Sequence, residues 1–169
     1  MPTETEVKEF FFESSLYFLY HPPGNFPEHI VPGWKFSATC NNVFSSVITF
    51  TSHLDGETVR FISDRTICYK EAVIWLMRRE DWYLNVSKAI VAYLQAEACH
   101  KAYKTNEFIA GRGVNRYSLD QYFYRNYPKE DSFAQFSAEE TVRHLDSAKS
   151  IDKLLAYSRT WGQAWEELT

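Results

Sequence analysis

Cysteine is scarce in this chain of 169 residues, and the three copies do not form a recognisable set. Cys40, Cys68 and Cys99 are odd in number, widely spaced and free of any C-x-x-C spacing. The sequence therefore indicates neither a disulfide framework nor a thiolate zinc site. We expect reduced thiols and a cytoplasmic location.

Basic residues are not in excess, because the formal net charge is −4 and the pI is about 5.7. This balance argues against a nucleic-acid-binding protein, which usually carries a basic face. Acidic Glu4 and Glu6 stand where a signal peptide has basic residues. No uninterrupted apolar run approaches the roughly 18 residues of a membrane helix. We therefore expect a soluble protein with no nucleic-acid or membrane partner.

Motifs for catalysis and metal binding are also missing. The five histidines show no H-x-x-x-H or H-x-H spacing, and no G-x-S-x-G or P-loop pattern occurs. Cys99 and His100 are adjacent on a predicted helix and point about 100° apart, so they do not form a nucleophile and base pair. We expect no metal and no cofactor.

Aromatic residues are abundant, with 13 Phe, 11 Tyr and 5 Trp, or 17% of the chain. Rings fit the pleated, half-buried surface of a sheet, so this excess favours strands. The hydrophobic fraction of 45% and the length suit one domain, residues 1–169, that buries its own core.

The first half of the chain predicts a helix followed by strands. Thr3 and Glu6 have the spacing of a capping box, and apolar residues at helical intervals predict a helix from about 4 to 20. A proline-rich loop over 21–33 follows. Four strands fit residues 34–79, with a hairpin in which Asp55-Gly56 forms a type I′ turn.

The second half predicts the same order. Asp81 is expected to cap a helix that runs to about Tyr103, and an aromatic strand through 117–124 precedes a turn at 128–131. Two interpretations fit residues 137–168. They form either a strand hairpin, 140–145 with 151–159 and a short helical end, or two helices. We favour the hairpin.

The two halves also match in their residues. The segment from Phe61 to Ile67 aligns with the segment from Phe136 to Val142 in its aromatic start, its small third residue, its threonine and its β-branched end. We therefore predict an α+β fold of two tandem helix-plus-antiparallel-meander units, about 4–80 and 81–169. The units form a pseudo-twofold sheet assembly with helices packed on it.

The same residues resemble a family of small, uncharacterised bacterial domains. The family repeats an F-x-G-x-E-x-I segment and a V-W-x-M strand. Here Phe61, Ser63, Arg65 and Ile67 with residues 74–77 form the first copy, and the second runs from Tyr124 to Tyr157. The family's glycine is replaced in both copies. The resemblance implies the fold and a sensor or ligand-binding role, with no catalytic residue to carry over.

The candidate binding residues are aromatic or basic. Gly111-Arg112-Gly113 brings backbone N–H groups and a guanidinium together, which suits an anion, although a simple turn is the alternative. Rings lining a groove between the half-sheets would make an apolar pocket or else the core. The predicted ligand-binding residues are Trp34, Tyr69, Trp75, Arg112, Arg116 and Tyr124.

Three functional hypotheses follow. The first is a non-enzymatic binding or regulatory module that takes a small ligand or a protein partner in the aromatic groove between the repeats. The second is a small hydrolase-like or isomerase-like enzyme that uses a histidine or carboxylate in that groove. The third is a homo-oligomeric or immunity-type interaction protein with an exposed aromatic patch.

Overall fold

The computed structural model describes residues 1–20, 34–40 and 43–164, with the backbone alone for 34–40. Two α-helices are present in this part of the chain, α1 (Glu4–Tyr20) and α2 (Lys88–Lys104). The strands are β1 (Trp34–Cys40), β2 (Phe44–Asp55), β3 (Thr58–Tyr69), β4 (Ala72–Leu84), β5 (Arg116–Leu119), β6 (Tyr122–Asp131), β7 (Gln135–Asp146) and β8 (Ile151–Ala164).

These eight strands form one antiparallel sheet in the order β1-β2-β3-β4-β8-β7-β6-β5. The first four strands and the last four each follow the chain as a meander, and the two meanders meet where β4 pairs with β8. The predicted α+β class with an antiparallel sheet is confirmed. Neither α1 nor α2 combines the length and apolar character that a bilayer-spanning helix requires.

Helix α1 begins where the capping box predicts. The Glu6 carboxylate accepts hydrogen bonds from the Thr3 backbone N–H at 2.8 Å and from the Thr3 hydroxyl at 3.0 Å. The Glu6 N–H in turn donates to Thr3 Oγ1 at 3.3 Å. Two donors that a helix N-terminus leaves unpaired are thus satisfied locally, which is why a short sequence pattern located this end.

The hairpin between β2 and β3 is present, but its turn differs from the prediction. Asp55 pairs with Thr58, so the two turn residues are Gly56 and Glu57 rather than Asp55 and Gly56. Gly56 has φ +60°, whereas Glu57 does not have a positive φ. This combination is typical of a type II′ turn, in which only the first central residue needs the left-handed region.

The predicted start of α2 at Asp81 is wrong, because Asp81 lies inside β4. Its Cα pairs with Phe61 of β3 on one side and with Ser158 of β8 on the other. Pairing on both sides keeps this segment extended to Leu84, so the helix begins only at Lys88. Sheet pairing with a strand far along the chain outweighs a local capping signal.

The last part of the chain is a strand hairpin, so the two-helix interpretation is wrong. Strands β7 and β8 pair along almost their full length. The predicted turn at 128–131 is also wrong, because β6 continues to Asp131 with a register shift between Pro128 and Glu130. The loop predicted over 21–33 and the helical end at 165–169 lie outside the described residues.

Both helices pack on one face of the sheet, which we call the inner face. Phe11 of α1 contacts Trp75 of β4, with ring centroids 5.1 Å apart. Trp75 is fully buried and stacks on Phe133 and Phe136. A second apolar cluster joins α2 to β6, β7 and β8; it contains Val91, Leu94, Ala98, Tyr124, Val142, Leu155 and Ala156.

The opposite face, the outer face, carries charges of alternating sign. Asp64 of β3 lies opposite Arg78 of β4, with 3.7 Å between the carboxylate and Nε. Lys129 of β6 contacts Glu139 of β7 at 2.5 Å. Such partly exposed pairs are typical of a sheet face in contact with water.

The Gly111-Arg112-Gly113 segment joins α2 to the second meander. Gly111 has φ +71°, a backbone conformation that glycine adopts without strain. A Cβ on Gly113 would lie 2.5 Å from the backbone carbon of Ala98 and 2.7 Å from its Cβ. The two glycines therefore let the segment turn and approach α2 closely.

Replacing Gly113 with alanine tests this close approach. Gly113→Ala should lower the free energy of unfolding by about 2–3 kcal/mol, because the backbone of α2 has to move to admit the methyl group. Urea denaturation provides the measurement. Gly56→Ala is the control, because its Cβ meets no atom within 4 Å. It should lower the free energy of unfolding by about 1 kcal/mol, through the strain of a positive φ alone. Equal effects of the two substitutions would contradict the close contact.

Candidate functional site

A cavity of about 410 Å³ lies between the inner face of β2, β3 and β4 and the two helices, and we call it the helix–sheet cavity. The residues that line it are Ser15, Phe18, Leu19, Ile48, Phe50, Phe61, Ser63, Arg65, Met77, Arg79, Asp81, Tyr83, Lys88, Val91, Ala92, Gln95, Ala96, Cys99, Tyr103 and Arg112.

Strand alternation explains which sheet residues reach the helix–sheet cavity. Successive side chains of a strand point to opposite faces, so every second residue of β3 and β4 lines it. The register places Phe50 opposite Ser63, and Ser63 opposite Arg79. The floor of the cavity is therefore an ordered grid in which apolar and charged side chains are neighbours.

Arg65 is the most deeply buried cation of the grid, with 4% of its surface exposed. Its Nε donates to Ser46 Oγ at 3.0 Å. Its Nη1 donates to Ser15 Oγ at 2.7 Å. Its Nη2 donates to Ser14 Oγ at 2.7 Å and to the Phe11 carbonyl oxygen at 3.2 Å. Arg65 thus joins β3 to β2 and to α1.

The two serines of α1 are oriented to accept these bonds. Ser14 Oγ donates to the Phe10 carbonyl oxygen at 2.6 Å, and Ser15 Oγ donates to the Phe11 carbonyl oxygen at 2.5 Å. A hydroxyl has one hydrogen, so each serine keeps only lone pairs for the arginine. This arrangement accounts for two buried serines on the inward side of an aromatic helix.

All the acceptors around Arg65 are neutral. None of the ion pairs among the described residues includes this arginine. Its guanidinium instead lies over the rings of Phe11 and Phe18, at 4.6 and 5.4 Å from their centroids. Burial lowers the pKa of Arg65 to about 10, so the side chain remains a cation at neutral pH.

Arg79 and Asp81 form a second charged pair on the floor of the cavity. Arg79 Nε lies 2.8 Å from Asp81 Oδ1, and the side chains are 16% and 8% exposed. Burial raises the pKa of Asp81, because it disfavours the charged form more than the neighbouring arginines favour it. Within this pair, the positive charge of Arg79 is already matched.

Arg112 and Glu140 form a third, fully internal pair. Arg112 Nε donates to Glu140 Oε2 at 3.0 Å, and the Tyr124 hydroxyl donates to the other carboxylate oxygen. Burial alone would raise the pKa of Glu140, but the charges of Arg112 and Arg79 and the bond from Tyr124 lower it below its ordinary value. The glutamate is therefore ionised and neutralises Arg112.

Cys99 and Tyr103 of α2 line the same space as neutral groups. Burial raises the pKa of both side chains, so the thiol and the phenol keep their protons. The Tyr103 hydroxyl donates to the Gly111 carbonyl oxygen at 2.7 Å. No histidine of the described residues lines the cavity. In the same part of the chain, no cluster of three or more His, Cys, Asp or Glu side chains is arranged to hold a metal.

The residues predicted from sequence to bind a ligand are not brought together. Trp75 and Tyr124 are buried in the two core clusters, with 0% and 1% exposed. Tyr69 packs beside Phe44, with ring centroids 5.3 Å apart. Of the predicted residues, Arg112 lines the helix–sheet cavity.

The other two predicted residues lie apart from the cavity. Arg116 is exposed at the start of β5. Trp34 starts β1, and its side chain is outside the described residues. The helix–sheet cavity lies over the first meander, with α1 and α2 as its other walls. The groove between the half-sheets stays a prediction.

Sequence reasoning missed Arg65 as a site residue, although a signal for it exists. Phe61, Ser63, Arg65 and Ile67 alternate along β3 and share the inner face, and Phe61 and Ile67 are apolar. A charged residue inside an otherwise inward-facing series is unusual, because burying a charge is costly. That exception to the alternation is the signal that could have identified the site.

Compared with family models, curated proteins and solved structures, the chain matches none. The resemblance to a family of small duplicated domains therefore stays a prediction. Function has to be inferred from the helix–sheet cavity itself.

Replacing Glu140 with glutamine tests the internal ion pair. Glu140→Gln should lower the free energy of unfolding at pH 7 by about 3 kcal/mol, because Arg112 stays buried without a counter-charge. Urea denaturation gives the value. Glu139→Gln, on the outer face one residue away, should change stability only as an ordinary surface substitution does.

The effect of Glu140→Gln on stability should depend on pH. Since the folded-state pKa of Glu140 is lowered, its contribution to stability is present above the ordinary value of 4.5 and is lost as the pH falls through the folded-state value. The stability difference between wild type and Glu140→Gln should therefore narrow in acid. A constant difference from pH 7 to pH 3 would contradict the charge-based explanation.

Proposed function

We propose that the protein is a non-enzymatic binding or regulatory module that takes a small, partly apolar ligand in the helix–sheet cavity. The observation that carries the proposal is the cavity of about 410 Å³. This volume is within the roughly 300–1,000 Å³ typical of small-molecule sites. Its wall combines rings and aliphatic side chains with a few polar groups, which is the composition such sites use for affinity and orientation.

The state of the titratable side chains supports binding rather than catalysis. Cys99 is a buried thiol with a raised pKa, and a catalytic cysteine instead needs a lowered one. Tyr103 is held by a backbone carbonyl, and Arg79 and Asp81 hold each other. A nucleophile within reach of a free base is the arrangement that covalent catalysis requires. The described residues of the cavity do not provide it.

We also propose that the chain arose from two copies of one unit. Two observations support this. Each half contributes a helix followed by a four-stranded meander. The matching segments found in sequence lie on the third strand of each half, β3 and β7. Phe61 and Phe136 are both buried there, and Arg65 and Glu140 occupy the matching buried position four residues later.

An enzyme is the second candidate function, and one observation favours it. Asp81 lines the helix–sheet cavity, and burial raises its pKa. Perturbed carboxylates in cavities are common among acid–base catalysts. In an NMR titration, the Asp81 carboxyl should ionise above the range of an ordinary aspartate. A normal midpoint would remove the basis for this alternative.

The interaction-protein hypothesis has less support from the described surface. The outer face carries alternating charges, including Arg143 and Asp152, whose side chains are 2.8 Å apart. Cores of obligate interfaces are depleted in charge. A protein partner or a homo-oligomer therefore remains a proposal with no particular patch assigned to it.

Filling the cavity from α2 tests the main proposal. The neutral fluorescent probe N-phenylnaphthylamine should bind wild-type protein saturably at one site. Ala96→Trp places a ring inside the cavity and should weaken probe binding by at least about tenfold. Fluorescence titration measures both affinities.

Ala89→Trp is the matched control, because Ala89 is exposed on the same helix and does not line the cavity. It should bind the probe as wild type does. Equal binding by both tryptophan variants, or no saturable binding by wild type, would overturn the assignment of the cavity as a ligand site.

A further inference from the structure

Four cationic side chains line the helix–sheet cavity: Arg65, Arg79, Lys88 and Arg112. Two of them are matched by carboxylates. Asp81 lies 2.8 Å from Arg79, and Glu140 lies 3.0 Å from Arg112. These two arginines therefore have little net charge to offer a ligand.

Lys88 and Arg65 are the cations of the cavity that no described carboxylate pairs with. Lys88 is half-buried at the first turn of α2. Arg65 is buried, so water no longer screens its charge. An electrostatic interaction is stronger where water is excluded, which makes Arg65 the stronger attractor of an anion.

The hydrogen bonds of Arg65 leave one donor available. A guanidinium has five N–H groups, and four of them donate to Ser46, Ser15, Ser14 and the Phe11 carbonyl. The second hydrogen of Nη1 has no acceptor among the described residues. Because the other four bonds fix the guanidinium on α1 and β2, this donor is held in place beside the cavity.

We propose that Arg65 binds the carboxylate head group of a monoanionic amphiphile whose apolar tail occupies the rest of the helix–sheet cavity. The proposal rests on the proposed binding function and names the chemical class of its ligand. The desolvation cost of Arg65 is met when the chain folds, so the site is preorganised for an anion.

Among the buried side chains of the cavity, which do not include the half-buried Lys88, the charges select one negative charge. The three buried or nearly buried arginines face two carboxylates, Asp81 and Glu140, so one positive charge is unmatched. A carboxylate neutralises it. A phosphate monoester, which carries nearly two negative charges at neutral pH, would bring an uncompensated charge into an apolar space.

The strand register shows which apolar side chains lie near Arg65 and would contact the tail. Ile48 lies directly opposite Arg65 in the sheet. Phe50 is two residues further along β2 on the same face, and its ring centroid is 5.3 Å from that of Phe61. A hydrocarbon or aromatic tail that extends from the head group along β2 therefore meets these apolar side chains.

Displacement of N-phenylnaphthylamine from wild-type protein tests the ligand class. Decanoate, decanol, decylamine and decyl phosphate share one tail and differ in head group. At pH 8, decanoate should displace the probe at a concentration about tenfold or more below that of decanol, because a hydrogen bond to a charged group strengthens binding by that order. Decylamine should be the weakest, and decyl phosphate should not exceed decanoate.

Two variants assign the preference to a residue. Arg65→Met should lose the tenfold preference for decanoate over decanol. Lys88→Met should retain that preference. Probe binding and the urea midpoint show whether each variant is folded. If Arg65→Met does not fold, Arg65→Lys keeps the charge and should keep a reduced preference for decanoate.

The outcomes separate the two proposals. If decanol and decanoate displace the probe equally, or if Lys88→Met rather than Arg65→Met loses the preference, the Arg65 proposal is overturned and the cavity site stands. Tighter binding of decyl phosphate than of decanoate overturns the monoanion assignment. If wild type binds neither the probe nor any of the four amphiphiles, the binding function and the head-group site are both overturned.

Discussion

The burial of charge on the inner face of the sheet is the constraint on which the rest of this structure depends. Three arginines and two carboxylates lie between the sheet and its helices, and each needs a partner because water is excluded. Arg112 reaches Glu140 from a segment in which Gly113 lies close against α2. Arg65 of β3 reaches Ser14 and Ser15 of α1 with its guanidinium. The positions of both helices are thus linked to the partners that these arginines require.

The side chains that pack between sheet and helices differ between the two meanders, and this difference creates the cavity. Over the second meander, α2 packs its apolar side on Tyr124, Val142 and Ala156. Over the first meander, Arg65 is held toward α1 by serines, and small residues of α2 such as Ala92 and Ala96 line the cavity. Because these side chains are small, they leave room between α2 and the sheet. The cavity therefore lies over the first meander.

Features set by neighbouring residues could be predicted from sequence, whereas features set by distant pairs could not. The capping box of Thr3 and Glu6 closes within one turn, so the start of α1 was predicted correctly. Asp81 also has a capping residue's chemistry, but its strand pairs with β8, whose Ser158 is far along the chain, and that contact leaves no local trace. The site depends on such contacts throughout, since Arg65 and its partner Ser15 are 50 residues apart.

Arg65 and Glu140 occupy matching positions in the two meanders. The charge of Glu140 is cancelled by an ion pair, whereas the charge of Arg65 is not. Both residues lie on the third strand of a meander, buried at the same spacing after a buried phenylalanine. Glu140 has an arginine and a tyrosine as partners, and its charge is cancelled inside the protein. Arg65 has only neutral acceptors, so its charge is held in position without being cancelled. A buried cation of this kind raises the free energy of the empty state, and an anion that enters beside it lowers that free energy again. The half that leaves its charge unmatched is also the half that keeps an open space beside it.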